Sequence, residues 1–226
     1  MPRFSLLILC AGFGKRMLDL TSNMPKPLLQ FNNKVLLGNT IDFFYNIGCD
    51  EIIINTHYQC EKIHSYITKN YNNHNIKIIY EPHILGTGGG VKNIFNYTSS
   101  KKICVVNSDI FWKKNNIPEI TSFIGDCNDV QNCKILLSNK KNFLGLKNKE
   151  GDFYHSNGLI FHTKINNEKL YFTGLQILTS DIFTDTNKNF SMNEIWNKLI
   201  VNKKLNGSII YSKITHVGDK SSFLNI

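Results

Sequence analysis

Apolar positions in the first half of the chain alternate between short unbroken runs and stretches with helical spacing. Phe4 to Cys10 is one such run. It has the length of a strand buried on both faces and is far too short to cross a bilayer. Leu36 to Ile47 has helical spacing, Glu51 to Asn55 is a β-branched strand, Glu61 to Lys69 a short helix, and Ile76 to Tyr80 a strand. Gly86-Thr87-Gly88-Gly89-Gly90 predicts a turn that opens a helix to about Asn96. Ile103 to Asn107 is another buried strand, ending in Ser108-Asp109. Between the first strand and the first helix, Ala11 to Asn33 has no period and reads as a long loop. This order predicts an α/β, Rossmann-like, mostly parallel sheet flanked by helices, with right-handed crossovers. In such sheets ligands bind beyond the carboxyl ends of the strands.

Further along the pattern loosens. Cys133 to Ser138, Leu159 to His162 and Leu170 to Leu178 predict strands, read as antiparallel additions that wall a pocket. Phe190 to Asn202 predicts a helix, with Ser191 as N-cap and Glu194 three residues later in a capping-box pattern. No repeat or linker interrupts the chain, so residues 1–226 are expected to form one domain.

Composition narrows the function classes. Hydrophobic residues make up 42% and charged residues 19%, which describes a globular chain and not a disordered one. The first apolar run begins too early and stops too soon for a signal peptide, so a cytoplasmic protein without a membrane partner is expected. Six cysteines form no CxxC pair and are expected as reduced, mostly buried thiols, with no zinc spacing. Lysine and arginine (26) exceed aspartate and glutamate (17), giving +9. The basic residues are scattered in pairs and not interleaved with aromatics, which favours an anionic small ligand over nucleic acid.

The candidate chemistry lies at the first strand's end. Gly12 and Gly14 allow backbone N–H groups close approach to a phosphate. Arg16 and Lys26 add two cations, and Pro25 and Pro27 stiffen the chain on either side of Lys26. Together they describe a triphosphate cradle. A dinucleotide fingerprint requires glycine where Met17 stands, and the GK[ST] of a P-loop is absent.

On these residues the chain resembles the sugar-1-phosphate nucleotidyltransferases. Their pattern L-x-x-G-x-G-x-R-[LM]-x-P-L-T-x-x-x-P-K-P matches at Leu9, Gly12, Gly14, Arg16, Met17, Leu20, Thr21, Pro25, Lys26 and Pro27. Asp19 replaces the usual proline. The likeness continues at Leu85 to Gly90 and at Val105 to Asp109, and more faintly at Gly151-Asp152-Phe153, Phe172-Thr173-Gly174 and Val217-Gly218. The short form and the later segments look most like the branch that joins UTP to N-acetylmuramate 1-phosphate in cell-wall (peptidoglycan) recycling. Mannose- and heptose-1-phosphate guanylyltransferases share much of the pattern.

The resemblance implies a GT-A-like fold and a reaction between a nucleoside triphosphate and a sugar 1-phosphate. Arg16 would hold the β- and γ-phosphates, and Lys26 would bridge the α-phosphate and the sugar phosphate. Asp109 would bind Mg²⁺, with Mn²⁺ as the alternative. The backbone at Leu9, Ala11, Gly12 and Gly14 and the Gly88-Gly89 turn would contact the nucleotide, with Glu81 near the base. Asn107, Asp152, Thr173 and Gly174 would line the sugar side. The family's second metal-binding aspartate falls at His216, and imidazole suits Mn²⁺ better than Mg²⁺. Three outcomes stay open: His216 takes a softer metal, Asp219 substitutes, or the protein is a catalytically impaired nucleotide-binding regulator. A second sugar-phosphate lysine has three candidates, Lys140, Lys141 and Lys147. Each site residue also has an ordinary reading, such as a strand-end cap for Asp109 or a solvated loop charge for Lys26. Oligomeric state is left open.

Overall fold

The computed structural model describes residues 3–126, 130–146, 150–164 and 168–225. Lys147 and Cys127 lie outside them. Elements in chain order are β1 (Phe4–Leu9), β2 (Gln30–Phe31), β3 (Lys34–Val35), α1 (Leu36–Asn46), β4 (Cys49–Thr56), α2 (Cys60–Asn70) and β5 (Ile76–Tyr80). They continue with α3 (Gly86–Ile94), β6 (Lys102–Asn107), β7 (Ile110–Phe111), α4 (Ile117–Gly125), β8 (Cys133–Ser138) and β9 (Phe143–Leu144). The remainder are β10 (Tyr154–Ser156), β11 (Leu159–Phe161), β12 (Tyr171–Thr179), α5 (Met192–Val201), β13 (Leu205–Ile210), β14 (Ile214–His216) and α6 (Lys220–Asn225).

Nine strands form one sheet in the order β10-β11-β13-β8-β12-β6-β1-β4-β5. The pairings make it mostly parallel in direction, with β11 and β12 running against the rest. Period-two alternation along the central strands sorts the core into two halves. Leu6, Ile8, Ile52, Ile54, Cys104 and Val106 face one side, where α1, α2 and α4 contribute Ile41, Phe44, Ile63, Ile67, Ile120 and Phe123. Leu7, Ile53, Ile103 and Val105 face the other, where α3 and α5 contribute Val91, Ile94, Ile195, Trp196 and Leu199. Burial of each such side chain contributes about 1.5–3 kcal/mol, which is why both-face burial shows as unbroken apolar runs.

The last major helix begins at Met192. Ser191 accepts from the Asn193 N–H, and the Glu194 carboxylate accepts from the Ser191 N–H, each at 3.3 Å. The long loop after β1 is not featureless. It holds 3₁₀ turns at Lys15–Thr21 and Lys26–Leu28 and the β2–β3 hairpin. A third apolar cluster (Met17, Leu29, Phe31, Leu36, Phe111 and Val217) packs beneath it. Those anchors are spread over 200 residues, so no local period reveals them.

Candidate active site

Strand register decides what meets what. Leu9 at the end of β1 lies opposite Asn55 on β4 and Asn107 on β6. The segments that follow these three residues therefore leave the sheet side by side. They wall a cavity of about 400 Å³ lined by Leu9, Ala11, Gly12, Gly14, Arg16, Lys26, Asn55, Glu81, Asn107 and Asp109, among others. The two cations and the acid singled out from sequence face this one space.

Gly14 adopts φ +66°, and a Cβ there would lie 3.1 Å from the Lys26 Cβ. Glycine at 14 thus lets the loop fold against Lys26. Gly12 differs, because a Cβ would meet no atom within 4 Å. Nothing in the protein requires glycine there, and a side chain would project into open space. The Arg16 side chain is exposed and makes no hydrogen bond or ion pair with the described residues.

Lys26 sits on its 3₁₀ turn and is 9% exposed. Its Nζ donates to Asp109 Oδ2 at 2.7 Å and to the Gly218 carbonyl at 3.2 Å. Asp109, also 9% exposed, has His216 Nε2 at 3.4 Å from the same oxygen. The chain returns there because β14 pairs with β7, setting His216 against Ile110, while Val217 N–H donates to the Asp109 carbonyl at 2.8 Å. Burial opposes the charge on Asp109. The Lys26 ammonium and the His216 ring outweigh it and hold the carboxyl well below the usual carboxylate range. Asp109 Oδ1 is buried with no hydrogen-bond partner among the described residues.

An unpaired carboxylate oxygen is the kind of ligand that a divalent cation would take. No group of three or more His, Cys, Asp or Glu side chains is arranged to hold a metal among the described residues. Mg²⁺ suits a site of this kind, since it is commonly held by one or two carboxylates with substrate phosphates and water. His216, and not Asp219, is the residue paired with Asp109. Asp219 Oδ1 accepts from the Ser222 N–H at 3.0 Å, at the start of α6.

A second cavity of about 200 Å³ adjoins the first, and Arg16 and Asn107 line both. Asp152, Phe172, Gly174, His216 and Asp219 complete much of its wall. Gly174, at φ +83°, sits in an irregularity of β12 that brings it against Asn107. Asp152 Oδ2 accepts from the Phe172 N–H at 2.9 Å.

Three expected residues lie elsewhere. Thr173 is fully buried and donates to the Leu136 carbonyl at 2.9 Å, so it faces the sheet interior and not the second cavity. The N–H groups of Gly88 and Gly89 both donate to the Phe190 carbonyl, at 3.0 and 3.2 Å. A Cβ on Gly88 would lie 2.3 Å from the Phe190 ring, and one on Gly89 2.3 Å from the Lys188 carbonyl oxygen. These glycines pack α3 against the segment that enters α5, while Gly86 and Thr87 line the cavity. Lys140 and Lys141 are exposed and line neither cavity.

Cys10, Asn55 and Ser108 also line the first cavity, and Asn55 lies in no sequence motif. Burial pushes the Cys10 thiol up to about 12, so it is neutral and no nucleophile. Asn55, a polar residue closing a β-branched strand, is the one that could have been noticed.

The nucleotidyl transferase family model matches residues 5–141, the stretch that builds the first cavity. The chain belongs to that family. It is 33% identical over 103 residues to D-glycero-alpha-D-manno-heptose 1-phosphate guanylyltransferase of Aneurinibacillus thermoaerophilus, covering 46% of this chain and 45% of that protein. The chain thus spans under half the length of that relative. It is 24% identical over 226 residues to N-acetylmuramate alpha-1-phosphate uridylyltransferase of Caulobacter vibrioides, covering 96% and 93%. Crystalline HddC from Yersinia pseudotuberculosis, complexed with GMP-PN, superposes with a TM-score of 0.78 at 20% identity, covering 98% and 96%. The family model makes the chain a nucleotidyl transferase, and the structural neighbour shows the expected fold. No described helix is long and apolar enough to cross a membrane.

Proposed function

We propose that this chain joins UTP to N-acetylmuramate 1-phosphate, releasing pyrophosphate. A sugar-phosphate oxygen attacks the α-phosphorus, a P–O bond forms, and the bond to the β-phosphate oxygen breaks in line. The attacking phosphate is already anionic at neutral pH, so no general base is required. The task is to bring two anions together and stabilise the charge that develops. The carrying observation is the convergence of Arg16, Lys26 and Asp109 on one cavity.

In this reading Arg16 binds the β- and γ-phosphates, with the backbone at Leu9, Ala11, Gly12 and Gly14 around the nucleotide. Lys26 contacts the α-phosphate and the incoming sugar phosphate. Asn107, Asp152 and Gly174 bound the sugar in the second cavity. A divalent cation held by Asp109 and phosphate oxygens would neutralise polyphosphate charge, and His216 beside it favours Mn²⁺ alongside Mg²⁺. The end-to-end likeness to the uridylyltransferase supports the choice of base and sugar. The higher identity over 103 residues to a guanylyltransferase supports a second reading, GTP with a heptose or mannose 1-phosphate.

Pyrophosphate release decides between them. UTP, GTP, CTP and dTTP are each incubated with N-acetylmuramate, mannose and heptose 1-phosphates under Mg²⁺ or Mn²⁺. Release is expected with UTP and the amino-sugar phosphate. Release only with GTP favours the second reading, and tight nucleotide binding without release under either metal indicates a regulator.

A Gly12→Ala variant gives a sharper check on the nucleotide loop. Its thermal midpoint should stay within about 2 °C of the parent, because the added methyl meets no protein atom. Its KM for the nucleoside triphosphate should rise about tenfold as the methyl occupies ligand space. An unchanged KM would remove Gly12 from the nucleotide side.

A further inference from the structure

Asn55 and Glu81 form a buried polar pair that the reaction chemistry does not use. They are 2% and 1% exposed, yet both border the first cavity. Asn55 Oδ1 accepts from the Cys10 N–H at 2.9 Å, and Asn55 Nδ2 donates to Glu81 Oε1 at 2.9 Å. Burial raises the Glu81 pKa, against the bond from Asn55. His57 Nδ1 lies 2.7 Å from the Glu81 carbonyl, and the Glu81 N–H donates to the Thr56 carbonyl at 2.8 Å. One chain of hydrogen bonds therefore links the carboxyl ends of β1, β4 and β5.

The third glycine of the run at 88–90 belongs to this arrangement. A Cβ on Gly90 would lie 2.9 Å from Asn55 Nδ2 and 3.2 Å from Glu81 Oε1. Glycine lets α3 close over the pair. With so little surface exposed, Glu81 has its Oε1 committed to Asn55, not held out toward a base.

Building on the nucleotidyltransferase reading, we infer that Asn55 is a positioning residue for the nucleotide. Glu81 fixes the orientation of its amide, and Asn55 in turn fixes the Cys10 peptide from which the Ala11–Gly14 loop springs. Glu81 acts through Asn55 and does not read the base. An unpaired buried group is costly, and a chain of satisfied ones defines a single geometry.

Three variants test this, with KM for UTP and GTP, KM for the sugar phosphate, and thermal midpoint all measured. Asn55→Leu removes both amide bonds and is expected to raise the triphosphate KM at least about tenfold, leaving the sugar-phosphate KM within about twofold. The double variant Asn55→Asp with Glu81→Gln keeps every partner and reverses only the middle donor. It is expected to hold the triphosphate KM within about threefold of the parent, and it remains informative if Asn55→Leu does not fold. Glu81→Gln alone is expected to keep the UTP-to-GTP preference within about threefold.

The inference is overturned by an unchanged triphosphate KM in Asn55→Leu. It is also overturned by a folded double variant whose triphosphate KM has risen tenfold, or by a tenfold shift of base preference in Glu81→Gln. A parent enzyme that uses GTP and not UTP overturns the proposed substrate while leaving this test intact on GTP. If the parent turns over no pair, equilibrium binding of UTP and GTP supplies the same comparison.

Discussion

Lys26→Met should lose turnover and stability together. The ammonium is the direct partner of Asp109 at 2.7 Å, with side chains 11% and 13% exposed. Removing one member of a buried pair strands the other charge, at a cost of about 3–5 kcal/mol. His216 beside the same oxygen moderates the loss without replacing the 2.7 Å contact. Turnover should fall at least about 10²–10³-fold, the usual loss when a positioned charge donor is taken from a developing anion. Pyrophosphate release gives the first quantity and urea unfolding the second. Lys26→Met combined with Asp109→Leu should recover stability to within about 1 kcal/mol of the parent, since buried ion pairs exchange well for packed apolar groups. It should remain inactive. Turnover within tenfold of the parent in Lys26→Met would take Lys26 out of the chemistry.

Asp109→Asn separates the two effects in the other direction. The amide oxygen can still accept from Lys26, so the fold should persist at reduced stability, the buried ammonium having lost its counter-charge, and the bound triphosphate should be little altered. The charge is gone, and with it the carboxylate whose open oxygen suits a cation. Turnover should drop about 10³-fold while the nucleotide dissociation constant stays within about tenfold. Raising Mg²⁺ or Mn²⁺ should not restore the rate. Near-parent rates in this variant would mean that the cation, if one acts here, is held elsewhere.

The strands that carry the site were legible because both of their faces are buried. Leu6-Leu7-Ile8, Ile52-Ile53-Ile54 and Ile103 to Val106 have no polar side to interrupt them. The Gly-x-Gly-x-Arg and Pro-Lys-Pro segments were legible for a different reason: their spacing matches a family pattern, and the fold brings both to one cavity. What escaped depends on contacts distant in sequence. Gly88 and Gly89 are shaped by a carbonyl and a ring about a hundred residues away, so their run reads equally well as a ligand turn. Thr173 turns inward because β12 shifts register between Phe172 and Gln176 beside Gly174 at positive φ, a feature without a pattern of its own. Asn55 has no motif, and its partners, Cys10 and Glu81, lie 45 and 26 residues away.

The contact between the Lys26 ammonium and the Gly218 carbonyl joins residues 192 apart. During synthesis the phosphate-side loop leaves the ribosome long before the segment that seats its lysine. A nascent chain halted between β6 and β14 would hold the glycines, the arginine and the aspartate, but not the imidazole or the carbonyl that settle the charged pair. The contacts around the charged pair are thus completed only once β14 and the residues just after it have been made.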